Sequence, residues 1–159
     1  QIICFKFPGD LIGFEASERR PCSAEAVTDA DLRCLPMRIA SERLRQDASI
    51  GVELVELLAA ELADARNQLA VFNRRSAMEK LAAFIIDLWR REAPREGASL
   101  DLRVSRSDMA DFLGLTIETV SRSLTKLKLR KVIALPEAHR LVVLDMHRLE
   151  ALAAGASID

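Results

Sequence analysis

The run from Ser105 to Lys131, SRSDMADFLGLTIETVSRSLTKLKLRK, limits the fold more than any other stretch, because it spells two short helices joined by a tight turn. Ser105 followed by Asp108 makes a capping-box start. Met109, Phe112 and Leu113 then give one apolar face, and Gly114 supplies a left-handed stop. Thr116 caps the second helix. Within it Ile117, Val120, Leu124 and Leu127 recur at spacings of three and four and are expected to face inward. The opposite stripe, Glu118, Ser121, Arg122, Thr125 and Lys126, can hydrogen-bond at every position. A helix laid into a DNA major groove needs such a set: an acceptor for cytosine N4, a small hydroxyl, and an arginine fork for guanine O6 and N7. The same stripe also suits a solvated helix with an i,i+4 pair between Glu118 and Arg122, which would contribute only about 0.2–0.5 kcal/mol.

Charge favours the first of these two readings. The chain has a formal net charge of -1, yet from Ser121 to Arg140 the basic residues Arg122, Lys126, Lys128, Arg130, Lys131 and Arg140 are opposed only by Glu137. That is a local footprint suited to phosphates. With 50% hydrophobic and 30% charged residues, 159 residues can bury a core in one to two domains. The apolar run Phe84 to Trp89 is too short to span a membrane and is flanked by Lys80, Arg90 and Arg91, and no secretory signal is visible, so a cytoplasmic protein is expected. Cys4, Cys22 and Cys34 are scattered without disulfide or zinc spacing. No nucleophile–base pair, phosphate loop or clustered carboxylates point to an enzyme.

From Gln1 to Met37 short strand-like pieces, IICFKF, AEAVT and DLRCLPM, alternate with turns. The opening directly in such a run, without Met, predicts that an N-terminal part is missing. From Ser49 the pattern turns helical, and Val55, Leu58, Leu62, Ala65, Leu69 and Phe72 fall on a 3-4-3-4-3 spacing, flanked by Glu53, Glu56, Glu61, Asp64 and Arg66. A narrow apolar seam between charges suits a two-stranded coiled coil, although an ordinary core face has the same period. After a break at Asn73 to Arg75, Met78, Leu81, Phe84, Ile85, Leu88 and Trp89 mark a second amphipathic helix, with Trp89 read as core. The linker EAPREGAS precedes a short strand, LDLRV, and the paired helices. KVIAL, PEAH and RLVVLD then read as a β-hairpin wing with His139 at its turn, and Met146 to Ala154 closes the chain as a helix.

GLTIETVSRSL resembles the recognition-helix signature of the CRP/FNR superfamily of bacterial transcription regulators, and Glu118, Ser121 and Arg122 match the E-x-x-S-R pattern of its FNR/FixK branch. RRSAMEKLAAFIIDLWRR, Arg74 to Arg91, is similar to the helix before the DNA-binding motif in that branch. PGDLIGFE, Pro8 to Glu15, is similar to the glycine turn of its sensor β-roll. The resemblance implies an α+β chain: residues 1–46 as the C-terminal part of a β-roll sensor domain, 47–73 as a dimerisation helix, and 74–159 as a winged helix-turn-helix. It implies a homodimer on double-stranded DNA, reading a TTGAT/ATCAA-like inverted repeat and activating transcription through RNA polymerase under oxygen limitation. Arg122 would then pair with guanine, Glu118 with cytosine N4 and Ser121 with thymine. Thr116 and Thr125 would lie at the same interface, and Lys126, Lys128 and Arg130 would meet phosphates.

Two departures bear on cofactors. Cyclic-nucleotide sensors of the superfamily carry Arg-Ser-Ala after the glycine turn; here Cys22-Ser23-Ala24 stands there, without the charge that neutralises a cyclic phosphate, although Arg19 and Arg20 lie near enough in sequence for another anion. Cys34 falls at the branch's isolated ligand for a [4Fe-4S] cluster, whose other thiolates would lie outside this sequence; the other reading is a small buried hydrophobe on a strand. No cofactor is expected in this stretch itself. Where the branch makes pairing depend on its cluster, an acidic residue keeps the clusterless dimer helices apart, and the matching Ala65 predicts pairing without a cluster. The rival is a small-molecule or redox sensor whose winged helix serves as a protein-contact module, which the near-neutral overall charge would suit.

Overall fold

The computed structural model describes residues 1–13, 22–74, 76–92, 99–137 and 139–156, without the side chains of 67 and 70–74. It divides into two compact units, one of Gln1–Val27 with Arg74–Asp159 and one of Thr28–Asn73.

In the first unit the helix expected after residue 74 is α3 (Ala77–Glu92), and the winged helix-turn-helix follows in the expected order. It runs β1 (Leu100–Asp101), α4 (Arg106–Leu113), α5 (Ile117–Leu129), β2 (Ile133–Glu137), β3 (Arg140–Val143) and α6 (Met146–Ala153). The strands form an antiparallel sheet in the order β1-β3-β2, with Leu100 facing Leu141 and Ile133 facing Val143. The hairpin is irregular between Ala134 and Glu137. One apolar core joins every layer. Leu81 and Ile85 of α3, Val120 and Leu127 of α5, Leu141 of β3 and Leu149 of α6 are all essentially inaccessible to solvent. Trp89 and Phe112 pack half-buried against that core, as the helical periodicity predicts. The linker EAPREGAS lies mostly outside the described residues.

The second unit is helical. α2 (Ala48–Arg74) is the long helix read from the heptad spacing, and it continues through Asn73 rather than breaking there. Residues 48–69 are rich in the strong helix formers Ala, Leu and Glu, and Asp47 caps the start by accepting from the Ser49 N–H at 2.9 Å. The seam is open to solvent: Val55 is 65% exposed, Leu62 52% and Leu69 63%, and none of the described residues of Thr28–Asn73 is buried. Ala65 is exposed, Leu58 half-buried, and the Phe72 side chain lies outside the description.

The front of the chain departs from expectation. None of IICFKF, AEAVT or DLRCLPM forms a strand among the described residues, and α1 (Met37–Gln46) occupies the end of the segment expected to be β-roll. An extended run becomes a strand only beside a partner that accepts its hydrogen bonds, and among the described residues only β1, β3 and β2 are paired in a sheet. MRIASERLRQ, by contrast, holds good helix formers and an i,i+4 pair from Arg38 to Glu42 at 3.0 Å. Of the stretch Pro8 to Glu15, residues 14 and 15 lie outside the described residues; at its start a turn forms over Phe7 to Asp10, where Gly9 takes φ +97° and the Asp10 N–H donates to the Phe7 carbonyl at 3.0 Å.

Leu149, fully enclosed where α6 packs on α3, tests that core. Leu149→Ala is expected to lower unfolding stability by about 2–5 kcal/mol through lost transfer energy and a residual cavity. Urea denaturation with an unchanged slope would show it as a reduced midpoint.

Candidate nucleic-acid interface

The geometry begins at the turn between α4 and α5. Ser105 and Asp108 close a reciprocal box at the start of α4, the Ser105 hydroxyl oxygen accepting from the Asp108 N–H at 3.1 Å and the Asp108 carboxylate accepting from the Ser105 N–H at 3.2 Å. Gly114 ends the helix at φ 63°, ψ 43°, a left-handed position in which a side chain would be strained. The Leu115 N–H then donates to the Ala110 carbonyl at 2.9 Å, and Lys80 reaches from α3 to donate its ammonium to the Leu113 carbonyl at 3.2 Å. The open end of α4 is thereby satisfied from two sides. Thr116 caps α5 by accepting from the Thr119 N–H at 3.2 Å.

With Val120, Leu124 and Leu127 buried, α5 presents Glu118, Arg122, Thr125 and Lys126 to solvent, with Ser121 half-buried among them. Glu118 is held below the usual carboxylate range, first by its own backbone N–H, then by the Thr116 hydroxyl, and least by the nearby Arg122. It remains an anionic acceptor at neutral pH. The Arg122 guanidinium donates from Nε to the Glu118 carbonyl at 3.3 Å, so the helix turn orients it. The Thr125 hydroxyl donates back to the Ser121 carbonyl at 2.9 Å, which occupies its hydrogen atom but leaves its oxygen able to accept. Lys128 and Arg130 are exposed at the far end of α5, the latter as its C-cap, and Lys131 follows with φ 54°. Thr116 is exposed beside Glu118.

The inward placement of Ile117 does not hold. At the first turn of α5 it is 47% exposed, on a part of the helix end that the core does not cover. An apolar group therefore stands beside the polar stripe, and Ser123 takes an inward place instead, buried to 6% exposure. Two further cations, Arg103 and Arg106, join the face. Arg106, at the start of α4, donates to the Ser121 hydroxyl at 3.4 Å. With Arg103 and the exposed wing residue His139 it borders a cavity of about 230 Å³ floored by Met109 and Leu124. A charge count that begins at Ser121 misses Arg103 and Arg106, although their place just before and at the first helix of the motif marks them. Glu137, the lone acid of the wing, pairs with Arg140 at 3.3 Å and lies 3.4 Å from His139.

Cys34 is exposed, which removes the buried-hydrophobe reading, and Cys4 and Cys22 are exposed as well. Among the described residues no three His, Cys, Asp or Glu side chains are grouped to hold a metal; the thiolates that would complete a cluster with Cys34 would lie outside this sequence. Arg19 and Arg20 lie outside the described residues. No helix among the described residues is long and apolar enough to cross a membrane.

Ser105→Ala removes one capping oxygen and is expected to cost about 1 kcal/mol of stability. Thermal unfolding of the two proteins at one pH is the check, and an unchanged midpoint would show that Asp108 alone suffices.

Comparison with known proteins agrees with this geometry. Residues 79–152 match the Crp-like helix-turn-helix domain family. The chain is 41% identical over 152 residues to the nitrogen fixation regulation protein FixK of Rhizobium meliloti, covering 96% of this chain and 68% of that protein. It is 39% identical to FixK of Azorhizobium caulinodans, covering 96% and 62%, and 39% identical to the transcriptional activatory protein AadR of Rhodopseudomonas palustris, covering 98% and 65%. The chain thus spans about two thirds of the length of these relatives. Among solved structures it is similar to FixK2 from Bradyrhizobium japonicum, with a TM-score of 0.67 and 32% identity over 74% of this chain and 58% of that one. These relatives are regulators rather than enzymes, and the chain belongs with them to the CRP/FNR family of DNA-binding transcription regulators, among its FixK-like members.

Proposed function

We propose that the chain binds, as a homodimer, a TTGAT/ATCAA-like inverted repeat in double-stranded DNA in the cytoplasm, and that it activates transcription in contact with RNA polymerase when oxygen is limiting. The observation that carries the reading is the stripe on the first two turns of α5, where exposed Glu118 and Arg122 flank half-buried Ser121. Arg122 offers a fork to guanine O6 and N7, and Glu118 accepts from cytosine N4. Exposed Ile117 suits a thymine methyl group, a contact that Ser121 would share. Lys126, Lys128, Arg130, Arg103 and Arg106 supply phosphate contacts, which position the protein without reading sequence. Six basic residues against one acidic from Ser121 to Arg140 favour DNA over a protein-docking role for the winged helix. The names of the relatives, the nitrogen fixation regulation protein FixK and the transcriptional activatory protein AadR, support activation of transcription, with nitrogen-fixation genes among the candidate targets. Cys34 carries no step of this reading.

Two copies are needed to read an inverted repeat, and the exposed seam of α2 supplies the means. Its five described positions, Val55, Leu58, Leu62, Ala65 and Leu69, carry no charge, so association leaves no unpaired ion buried along them. Phe72 extends the same spacing in sequence.

Arg122→Ala is expected to weaken binding to the inverted repeat by about 1–3 kcal/mol per half-site and to relax discrimination against scrambled DNA. Equilibrium titration over a range of salt concentrations measures both, and retained affinity with retained discrimination would sink the base-reading role. Ala65→Asp is expected to place like charges across the pair and weaken it by on the order of a few kcal/mol. Sedimentation at micromolar concentration in air should give a wild-type dimer and a variant shifted to monomer. A monomeric wild type, or a fully dimeric variant, would place the interface elsewhere.

A further inference from the structure

Arg106 occupies a place that helix stability disfavours. It is the first residue of α4, and a cation in the first turn of a helix is opposed by the positive end of the helix dipole. Its side chain is exposed and, among the described residues, has no carboxylate within ion-pair distance. The other two basic groups at the same cavity are matched, Arg103 with Asp101 at 3.2 Å, and His139 lying 3.4 Å from Glu137. Among the described residues the partner of Arg106 is the Ser121 hydroxyl, whose oxygen accepts from the guanidinium at 3.4 Å across 15 positions of sequence. A charge set at the wrong end of its own helix thus reaches the middle of the stripe on α5.

That contact fixes which way the Ser121 hydroxyl can act. A hydroxyl has one hydrogen to donate and two lone pairs with which to accept. Thr125, one turn further on, has given its hydrogen to the Ser121 carbonyl at 2.9 Å, so it faces outward as an acceptor. Ser121 is the converse: a lone pair is taken up by Arg106, and among the described residues no acceptor receives its hydrogen. Accepting from a cation also strengthens a hydroxyl as a donor. Ser121 therefore offers a hydrogen beside the acceptor Glu118. On the edge of a T·A pair that faces the major groove, thymine O4 is an acceptor and adenine N6 a donor, so a hydroxyl held in this sense favours the thymine.

We infer that Arg106 is a positioning residue for base selection: bonded through one guanidinium nitrogen to Ser121, it orients that hydroxyl to donate to thymine O4, while its other nitrogens stay free for the phosphate contact proposed above. A residue of the support helix α4 then takes part in the choice of sequence without touching a base. The inference rests on the DNA-binding reading and adds to it a coupling between the backbone contact and the base contact.

Equilibrium titration of the 159-residue chain tests it, with duplexes carrying the inverted repeat in which each thymine is replaced in turn by 4-thiothymine, a weaker acceptor that keeps the methyl group and the pairing. Wild type is expected to lose about threefold to tenfold in affinity at one thymine of the half-site, and Ser121→Ala, Arg106→Met and the double variant to show no loss there. Discrimination at the guanine assigned to Arg122 is expected to persist in Arg106→Met. A thymine penalty retained in Arg106→Met, with affinity lowered on every duplex alike, overturns the inference and leaves Arg106 a phosphate contact. Loss of discrimination at the guanine as well overturns it in favour of a structural role for the side chain. A wild type without any thymine penalty overturns the donor role of Ser121 and the inference with it. A wild type that binds the repeat no better than scrambled duplex overturns the DNA-binding reading on which it rests. Should Arg106→Met bind too weakly to titrate, Arg106→Gln decides by the same measures.

Discussion

The left-handed backbone at Gly114 is the constraint on which the rest depends. A residue with a side chain would resist φ 63°, and without that reversal α4 would run on into α5 and bury a different face. Once the chain turns there, the apolar spacing of α5 allows one orientation, with Val120, Leu124 and Leu127 on the core and Glu118 and Arg122 away from it. Lys80 fixes the same turn from outside, its charge set against the carbonyl end of α4, where a cation is favoured. The polar stripe proposed to read bases is therefore a by-product of how a short hydrophobic face is satisfied.

The parts legible in the sequence are those whose determinants are local. Capping oxygens, a glycine stop and three-four spacing lie within a few residues of one another, so α4, α5, the wing and the long α2 could be placed before any tertiary contact was known. The misplaced parts depend on distant partners. IICFKF has the composition of a strand, but pairing decides strandhood, and here its rings rest on α3 and α4. Ile117 matches the inward period, but a helix end has a neighbour on only part of its circumference, which periodicity does not reveal. Arg103 and Arg106 lie near the reading stripe only once the sheet and α4 are folded together.

The two units solve different problems of burial. Around α3 the domain encloses its apolar residues within one chain, so its stability is its own. The stripe on α2 has no such enclosure among the described residues, and a helix that leaves Val55, Leu62 and Leu69 wet gains most from a second surface. Under the proposed pairing, folding and association are separable for this reason: substitutions in the core would act on unfolding, and substitutions on the seam on concentration dependence.

The sheet order carries a consequence of another kind. β1 enters the helix-turn-helix and β3 leaves it, and the two are paired, Leu100 with Leu141 and Asp101 with Arg140. The reading element thus starts and finishes at one place, while α3 and α6 pack on each other beyond it. A segment whose ends meet can vary inside without displacing what lies outside. In evolutionary terms, sequence preference and fold are inherited as separate traits: exposed residues on α5 can drift toward a new operator while the surrounding helices keep the ancestral sequence, so that descendants of one regulator diverge in their targets before they diverge in architecture.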